Sequence, residues 1–360
     1  MLLKGTAKRP SPILIAKVID DKGGYKNAYT GRESLAMVLQ AADNYSEEAF
    51  ELLSDMFLNS LIDPKILENE KKVIIEELKK SDDNTDSFFS RFTFQKLFFG
   101  HPLETNVLGT PESILSATTD ELKKYKEKFL VPQNGALVVA GNISHDRIVE
   151  LTKKYFSGWS GKLDTLRTVE FKPHIQPPHF FLKDTKQTIV SCNFYTMPAL
   201  KSREYLALGL VRTLLNFGGS SVLTEELRHK RGLVYSTSVS NSSFSDAGMF
   251  SIKTSTTKPK ETVDAVNDII SNLKNIFSPE KLTGIKARRI GSFKLYIANP
   301  YRQTDFLVDL FFDLGRLVTP EEYIKEIESI SYDEILQVID NYLTLKKAVI
   351  TAIGPKDFTG

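Results

Sequence analysis

Two glutamates, Glu70 and Glu77, stand seven residues apart in LENEKKVIIEELKK (67–80), a stretch with the apolar spacing of an amphipathic helix. Seven residues make two helical turns, so both carboxylates return to one stripe, flanked by Val73, Ile74 and Leu78. Carboxylates beside an apolar face have two readings. They are the solvated edge of a surface helix, or they belong to a metal or acid/base site completed from elsewhere in the chain. Residues able to complete such a site are sparse. The five histidines, His101, His145, His174, His179 and His229, include no pair three or four apart. The prolines of IQPP keep His174 and His179 from sharing a helical face. A single cysteine, Cys192, excludes an internal disulfide and a multi-cysteine metal site. No G-x-S-x-G elbow, P-loop or G-x-G-x-x-G fingerprint is present.

The bulk composition narrows the class. A chain of 360 residues with 41% hydrophobic and 26% charged residues has the makings of two or three globular domains. Lys and Arg number 47 against 45 Asp and Glu, so no global field points to nucleic acid or an anionic membrane. Apolar runs such as ALVVAG and FLVDLFF are far short of a membrane span, and MLLKGTAKRPSP lacks the core of a secretory signal. The expectation is a soluble, cytoplasmic protein.

Positioning the glutamates falls to an alternation of helices and strands. A helix is expected over Pro12–Asp21, strands around YKNAYT and SLAMVLQ, and a helix over SEEAFELLSDMFLNS with Ser46 as its N-cap. Asp63-Pro64 opens the helix that carries Glu70 and Glu77, an acidic cap followed by proline at the first position. Helices follow over FFSRFTFQKLFF and TTDELKKYKEKFL, then a buried strand over NGALVVAGN and a helix over SHDRIVELTKKYFSGW. From 161 to 178 the period dissolves among glycine and prolines, which reads as a linker between domains at 1–160 and 179–360.

The second half repeats the first. FSPEKLTGIKARRIGSFKL (277–295) resembles IDPKILENEKKVIIEELKK (62–80), KKAVITAIGP (346–355) resembles NGALVVAGNI (134–143), and RHKRGLVYST (228–237) resembles IDDKGGYKNAYT (19–30). Three matches in one order argue for two copies of one α+β unit. Ahead of its KRG, the second copy has a strand, HFFLKDTKQTIVSCNFYTMP, and a helix, SREYLALGLVRTLLNF. Gly232 follows His179 by 53 residues, whereas Gly24 follows Met1 by 23. The first copy is therefore expected to lack its initial strand and helix.

Taken together, MLLKGT, IDDKGGYKNAYTGRE, LENEKKVIIEEL, HPLETNVLGTPESI, VVAGNI and LRHKRGLVYS resemble the insulinase/pitrilysin family of zinc metallopeptidases. The likeness runs nearly the whole chain and is nearest to the smaller bacterial members that look like mitochondrial processing peptidase. It implies two similar α+β domains, each with a mainly antiparallel sheet packed by helices, facing each other across a chamber. The family binds zinc through an inverted H-x-x-E-H motif and a later glutamate, leaving one position for water, with the motif's own glutamate as base. In the family that motif directly precedes a stretch like MLLKGT, so Met1 falls just after the second zinc histidine. Counted from there, Glu77 arrives after 76 intervening residues, the place of the third ligand, and Glu70 matches a supporting carboxylate.

The resemblance further implies that Arg228 and Tyr235 donate to the oxyanion that forms as water attacks the scissile carbonyl. Without it, they read as a basic helix end stopped by Gly232 and as a strand tyrosine. NAYTGRE resembles the family's substrate strand, in which Asn27, Ala28 and Tyr29 pair with an extended peptide. Beyond Glu33, SLAMVLQ lacks the family's usual tyrosines, so the resemblance does not extend to substrate preference. The expected function is zinc-dependent endopeptidase action on peptides or short unfolded polypeptides. This chain carries an incomplete zinc site and is expected to be inactive alone. The alternative is a non-catalytic partner subunit of a heteromeric peptidase. A homodimer or a heterodimer with a family relative is expected, with no nucleic-acid partner.

Overall fold

Proline and a capping side chain open helix after helix in the computed structural model, which describes residues 1–163, 169–196, 203–314 and 316–358. The chain divides into two compact units, one of residues 1–88 and 105–168, the other of residues 89–104 and 169–360. Residues 89–104, expected in the first domain, thus pack with the second.

The first unit runs α1 (Pro12–Asp20), β1 (Tyr25–Thr30), β2 (Leu35–Gln40), α2 (Ser46–Leu58), α3 (Pro64–Asp83), the start of α4 (Thr85–Leu97), α5 (Pro111–Ser116), α6 (Thr119–Phe129) and α7 (His145–Phe156). At α3, Asp63 accepts from the amides of Lys65 and Ile66, as an N-cap should, and Pro64 follows. Ser46 is the first helical residue rather than a cap: Tyr45 holds the cap position, after a short 3-10 turn, and makes no side-chain cap bond. β1 and β2 form a two-stranded antiparallel sheet in which Asn27 faces Val38, Ala28 faces Met37 and Tyr29 faces Ala36. Ile15, Ile19, Leu52 and Met56 are fully buried between α1, α2 and this sheet. A Cβ at Gly24 would stand 2.7 Å from both the Gln40 carbonyl oxygen and Ile19 Cγ1, so only glycine lets the chain turn from α1 into β1.

One expected strand of this unit does not form. Residues 135–140 of NGALVVAGN are irregular and half-exposed. The matching stretch of the second unit is a strand because neighbours flank it on both sides; among the described residues the first unit offers 135–140 no such partners.

The second unit holds β3 (His179–Leu182), β4 (Thr188–Thr196), α8 (Arg203–Asn216), β5 (Val234–Ser243), β6 (Gly248–Thr256), α9 (Pro259–Ser271), α10 (Leu273–Ile276), α11 (Pro279–Ile297), α12 (Pro300–Leu314), α13 (Pro320–Ser329), α14 (Tyr332–Tyr342) and β7 (Ala348–Gly354). Its sheet has the order β3-β7-β4-β6-β5, antiparallel except for β3 against β7. The mixed α+β class with mainly antiparallel sheets is the expected one. The stretch expected as one strand, HFFLKDTKQTIVSCNFYTMP, is two: a turn in which Thr185 Oγ1 donates to the Gln187 carbonyl separates β3 from β4, and β7 lies between them.

β4 is buried at all nine positions because both of its faces are covered. Cys192 and Phe194 face the helices, in a core that includes Leu208, Val211, Ile269 and Ile335. Ser191, Asn193 and Tyr195 point the other way, where the end of α4 lies: Tyr195 donates to the Leu97 carbonyl at 2.7 Å, and Thr93 and Thr351 hydroxyls meet at 2.9 Å. Burial, which disfavours the charged thiolate, pushes the Cys192 thiol up to about 12.

Candidate functional site

The expected site residues fall on both units, each set built by local structure. On α3, Glu70 is three-quarters or more buried, its side chain 18% exposed, and forms an ion pair with Lys4 Nζ at 2.9 Å. Lys4 is held there by the opening segment of the chain. The Gly5 carbonyl accepts from the Leu61 amide, Thr6 bridges Ser60, and the Thr6 hydroxyl donates to Asp55 of α2. Arg9 fixes the same segment by donating to Glu51 and Asp55, both at 2.5 Å. Burial lowers the Met1 ammonium from its ordinary value, while the Glu70 carboxylate opposes that shift. Met1 and Lys4 are therefore both neighbours of Glu70.

Glu77 is exposed on the same helix. Two turns of helix separate the two carboxylates by about 10 Å along its axis, so they cannot share one ion directly. Their shared stripe continues through Val73, which is 47% exposed, while Lys71 on the opposite face is buried and donates to Glu68 and the Leu115 carbonyl. Among the described residues no three His, Cys, Asp or Glu side chains converge to hold a metal ion. Two carboxylates, one already paired with an ammonium group, do not make the three-ligand set that zinc chemistry needs. The residues present do not by themselves fit a zinc ion.

Three of the five histidines have hydrogen-bond partners in the second unit. His101 is buried, its Nε2 2.8 Å from Asp246 Oδ2, and its Nδ1 accepts from the Leu103 amide, so it fastens a loop. His179 Nε2 and His174 Nε2 both bond the side chain of Gln176.

β1 presents Tyr25, Asn27 and Tyr29 on an exposed face. Among the described residues its only ladder partner is β2, which leaves the other edge open. The Ala28 amide donates to the side-chain oxygen of its neighbour Asn27 at 2.9 Å, and Asn27 Nδ2 donates to the Tyr25 hydroxyl. A side chain thus covers a main-chain donor that an incoming strand could take over.

Arg228 and Tyr235 are brought together in the second unit. Thr224–Lys230 forms a π-helical turn, with the Arg231 amide donating back to the Glu226 carbonyl. Gly232, at φ +57°, reverses the chain into β5. Tyr235 is the extra residue of a β-bulge between Val234 and Ser236, and it projects outward, 74% exposed. The Arg228 guanidinium lies over its ring at 5.2 Å. Two backbone irregularities that each re-aim a side chain, a π turn and a bulge, meet at this pair. Neither had a sequence signal beyond Gly232. A guanidinium and a phenol side by side in solvent are hydrogen-bond donors suited to an oxyanion.

Comparison with known proteins fits this geometry into a family. Two family descriptions match in succession: Insulinase (Peptidase family M16) over residues 1–111 and Peptidase M16 inactive domain over residues 116–289, together well over half of the chain. An uncharacterized zinc protease of Rickettsia felis is 26% identical, the match covering 100% of this chain and 87% of that protein. The uncharacterized zinc protease YmxG of Bacillus subtilis is 27% identical over 93% of this chain and 82% of its own length. Among solved structures, a protease from Helicobacter pylori superimposes with a TM-score of 0.87 at 20% identity, covering 98% of this chain and 87% of that one. The peptidase M16 inactive domain from Pseudomonas fluorescens gives 0.85 at 19%, covering 99% and 86%. At those identities the structural likeness speaks for the fold alone.

Proposed function

We propose, from the premise that this chain belongs to the insulinase (M16) family of peptidases, that it serves zinc-dependent cleavage of extended peptides and is inactive on its own. The observation that carries this reading is the Arg228–Tyr235 pair, set by a π turn and a bulge with both donors in solvent. Such a pair stabilises charge on a carbonyl oxygen as it becomes tetrahedral. Peptide capture falls to the open edge of β1. There an extended chain adds as a strand at Asn27, Ala28 and Tyr29, displacing the Asn27 side chain from the Ala28 amide. Glu77 is offered as a metal ligand, and Glu70, steadied by Lys4, as its supporting carboxylate. Zinc is the metal of the family by the names of its relatives. The chain's own donors stop short of holding it.

A second reading, a non-catalytic subunit that works beside a complete family relative, is favoured by the same shortage of ligands. One experiment separates the two. The purified chain is assayed on an internally quenched peptide alone, with an added polypeptide that carries a strand followed by an H-x-x-E-H helix, and with a complete family relative. Activity restored by the strand–helix polypeptide supports an interrupted peptidase. Enhancement of the relative's turnover alone supports the subunit. Robust hydrolysis by the chain alone overturns both.

A further inference from the structure

We propose that the second unit contains a binding site for a small oxyanion, a carboxylate or phosphate group, between α8, α11 and α13, with Arg212, Arg289 and Tyr323 as its donors. The three residues line one concavity together with Tyr205, Gly209 and Asn241. The concavity has a volume of about 10 Å³, room for one water, and Arg212 at its edge is exposed, so the anion would sit over the opening rather than inside it. The proposal is independent of the hydrolytic reading.

Charge balance is the first argument. Among the described residues, two guanidinium groups line the same small space and no carboxylate does. Among the described residues Arg212 has no hydrogen-bond or ion-pair partner, and Arg289 donates only to the Tyr323 hydroxyl, at 2.8 Å. Proximity of like charges disfavours both, and the Arg212 guanidinium is lowered from its ordinary value by burial first and by Arg289 second. An anion placed between them relieves both effects, and guanidinium forks match the geometry of carboxylate and phosphate.

Preorganisation is the second. Tyr323 is 6% exposed, and its ring is wedged between Phe293 at 4.6 Å and Phe306 at 5.3 Å. Its oxygen already accepts from Arg289, so its own proton is available to a group in the pocket. Asn241 Oδ1 is buried without a donor, and a water on the floor satisfies it while donating onward to the anion. Gly209 supplies clearance: a Cβ there would meet nothing within 4 Å.

The repeat supplies the third. Aligning Pro64 with Pro279 places Glu70 opposite Ile285 and Glu77 opposite Ser292. The helix of the second copy thus carries neither glutamate, and its Arg289 stands where the first copy has Ile74.

The test is titration of the full chain with inorganic phosphate by calorimetry and thermal melting, at fixed ionic strength against chloride. Saturable binding is expected, with at least tenfold weaker affinity in R212A and R289A. G209L, which fills the mouth without altering charge and replaces a helical glycine, is expected to remove binding while the protein stays folded. An acidic peptide and its C-terminal amide then compete against phosphate. Displacement by the free acid alone assigns the site to a peptide terminus, and no displacement by either leaves inorganic phosphate as its class. An identical phosphate response in all four proteins, or no saturable response, overturns the proposal.

Discussion

Asn193 should be the most costly polar residue of the second unit to remove. It is fully buried in β4. Its Nδ2 donates to the carbonyls of Ser191 and Val349 at 3.1 and 3.0 Å and to Thr351 Oγ1 at 3.2 Å. Its Oδ1 accepts from the hydroxyls of Ser191 and Ser251, each at 2.8 Å. In N193L those two hydroxyls lose their acceptor in a site closed to water, at about 1–3 kcal/mol each. The leucine returns about 1–2 kcal/mol of apolar burial. The expected net loss is about 3 kcal/mol, read as a lower urea midpoint at unchanged slope. The triple variant S191A/N193L/S251A removes donors and acceptor together and should recover most of that loss, because replacing both partners of a bond is far cheaper than orphaning one. A loss below about 1 kcal/mol in N193L, or a triple variant no better than the single, would refute the reasoning.

Other expectations follow from the same structure. Tyr235→Phe keeps the ring under Arg228 and, at 74% exposure, should leave stability unchanged. In a preparation with restored hydrolysis it should lower kcat by about 10²–10³-fold, the usual cost of one oxyanion donor. Glu334 is held down to about 2, first by the hydrogen bond from Arg203 and then by the Ser331 backbone and hydroxyl at its own helix start. Its folded value is depressed, so its share of stability is complete above about pH 4.5 and drains as pH falls toward 2. An acid titration of E334Q should show less of that loss than the parent protein. Cys192, fully enclosed with its thiol pushed up to about 12, should resist alkylation in the native protein and react at the rate at which the second unit opens, measured by mass spectrometry across a denaturant series.

Much of this was legible in the sequence because local rules and tertiary packing agreed. Asp63-Pro64 opens α3 as its chemistry dictates, and the alternation of YKNAYT and LAMVLQ folds into paired strands. The failures have particular causes. A strand is a cooperative object: ALVVA has the composition of one, but among the described residues it finds no ladder partner, while the equivalent AVITAIG finds two. Phe89–Glu104 reads as a continuation of the first domain, yet its phenylalanines and Thr93 find their partners on the second sheet, a long-range fact that no local pattern carries. The bulge at Tyr235 depends on register against β6, and the Arg212–Arg289 concavity on the packing of three helices. Both lie outside what spacing encodes.

The most direct measurement is the zinc content of the purified 360-residue chain after equilibration with excess zinc and desalting, taken together with its peptidase activity. The account predicts well under one zinc per chain, no cleavage of an internally quenched peptide, and no change in either value in E77Q. Stoichiometric zinc that is lost in E77Q, accompanied by peptide hydrolysis, would contradict it.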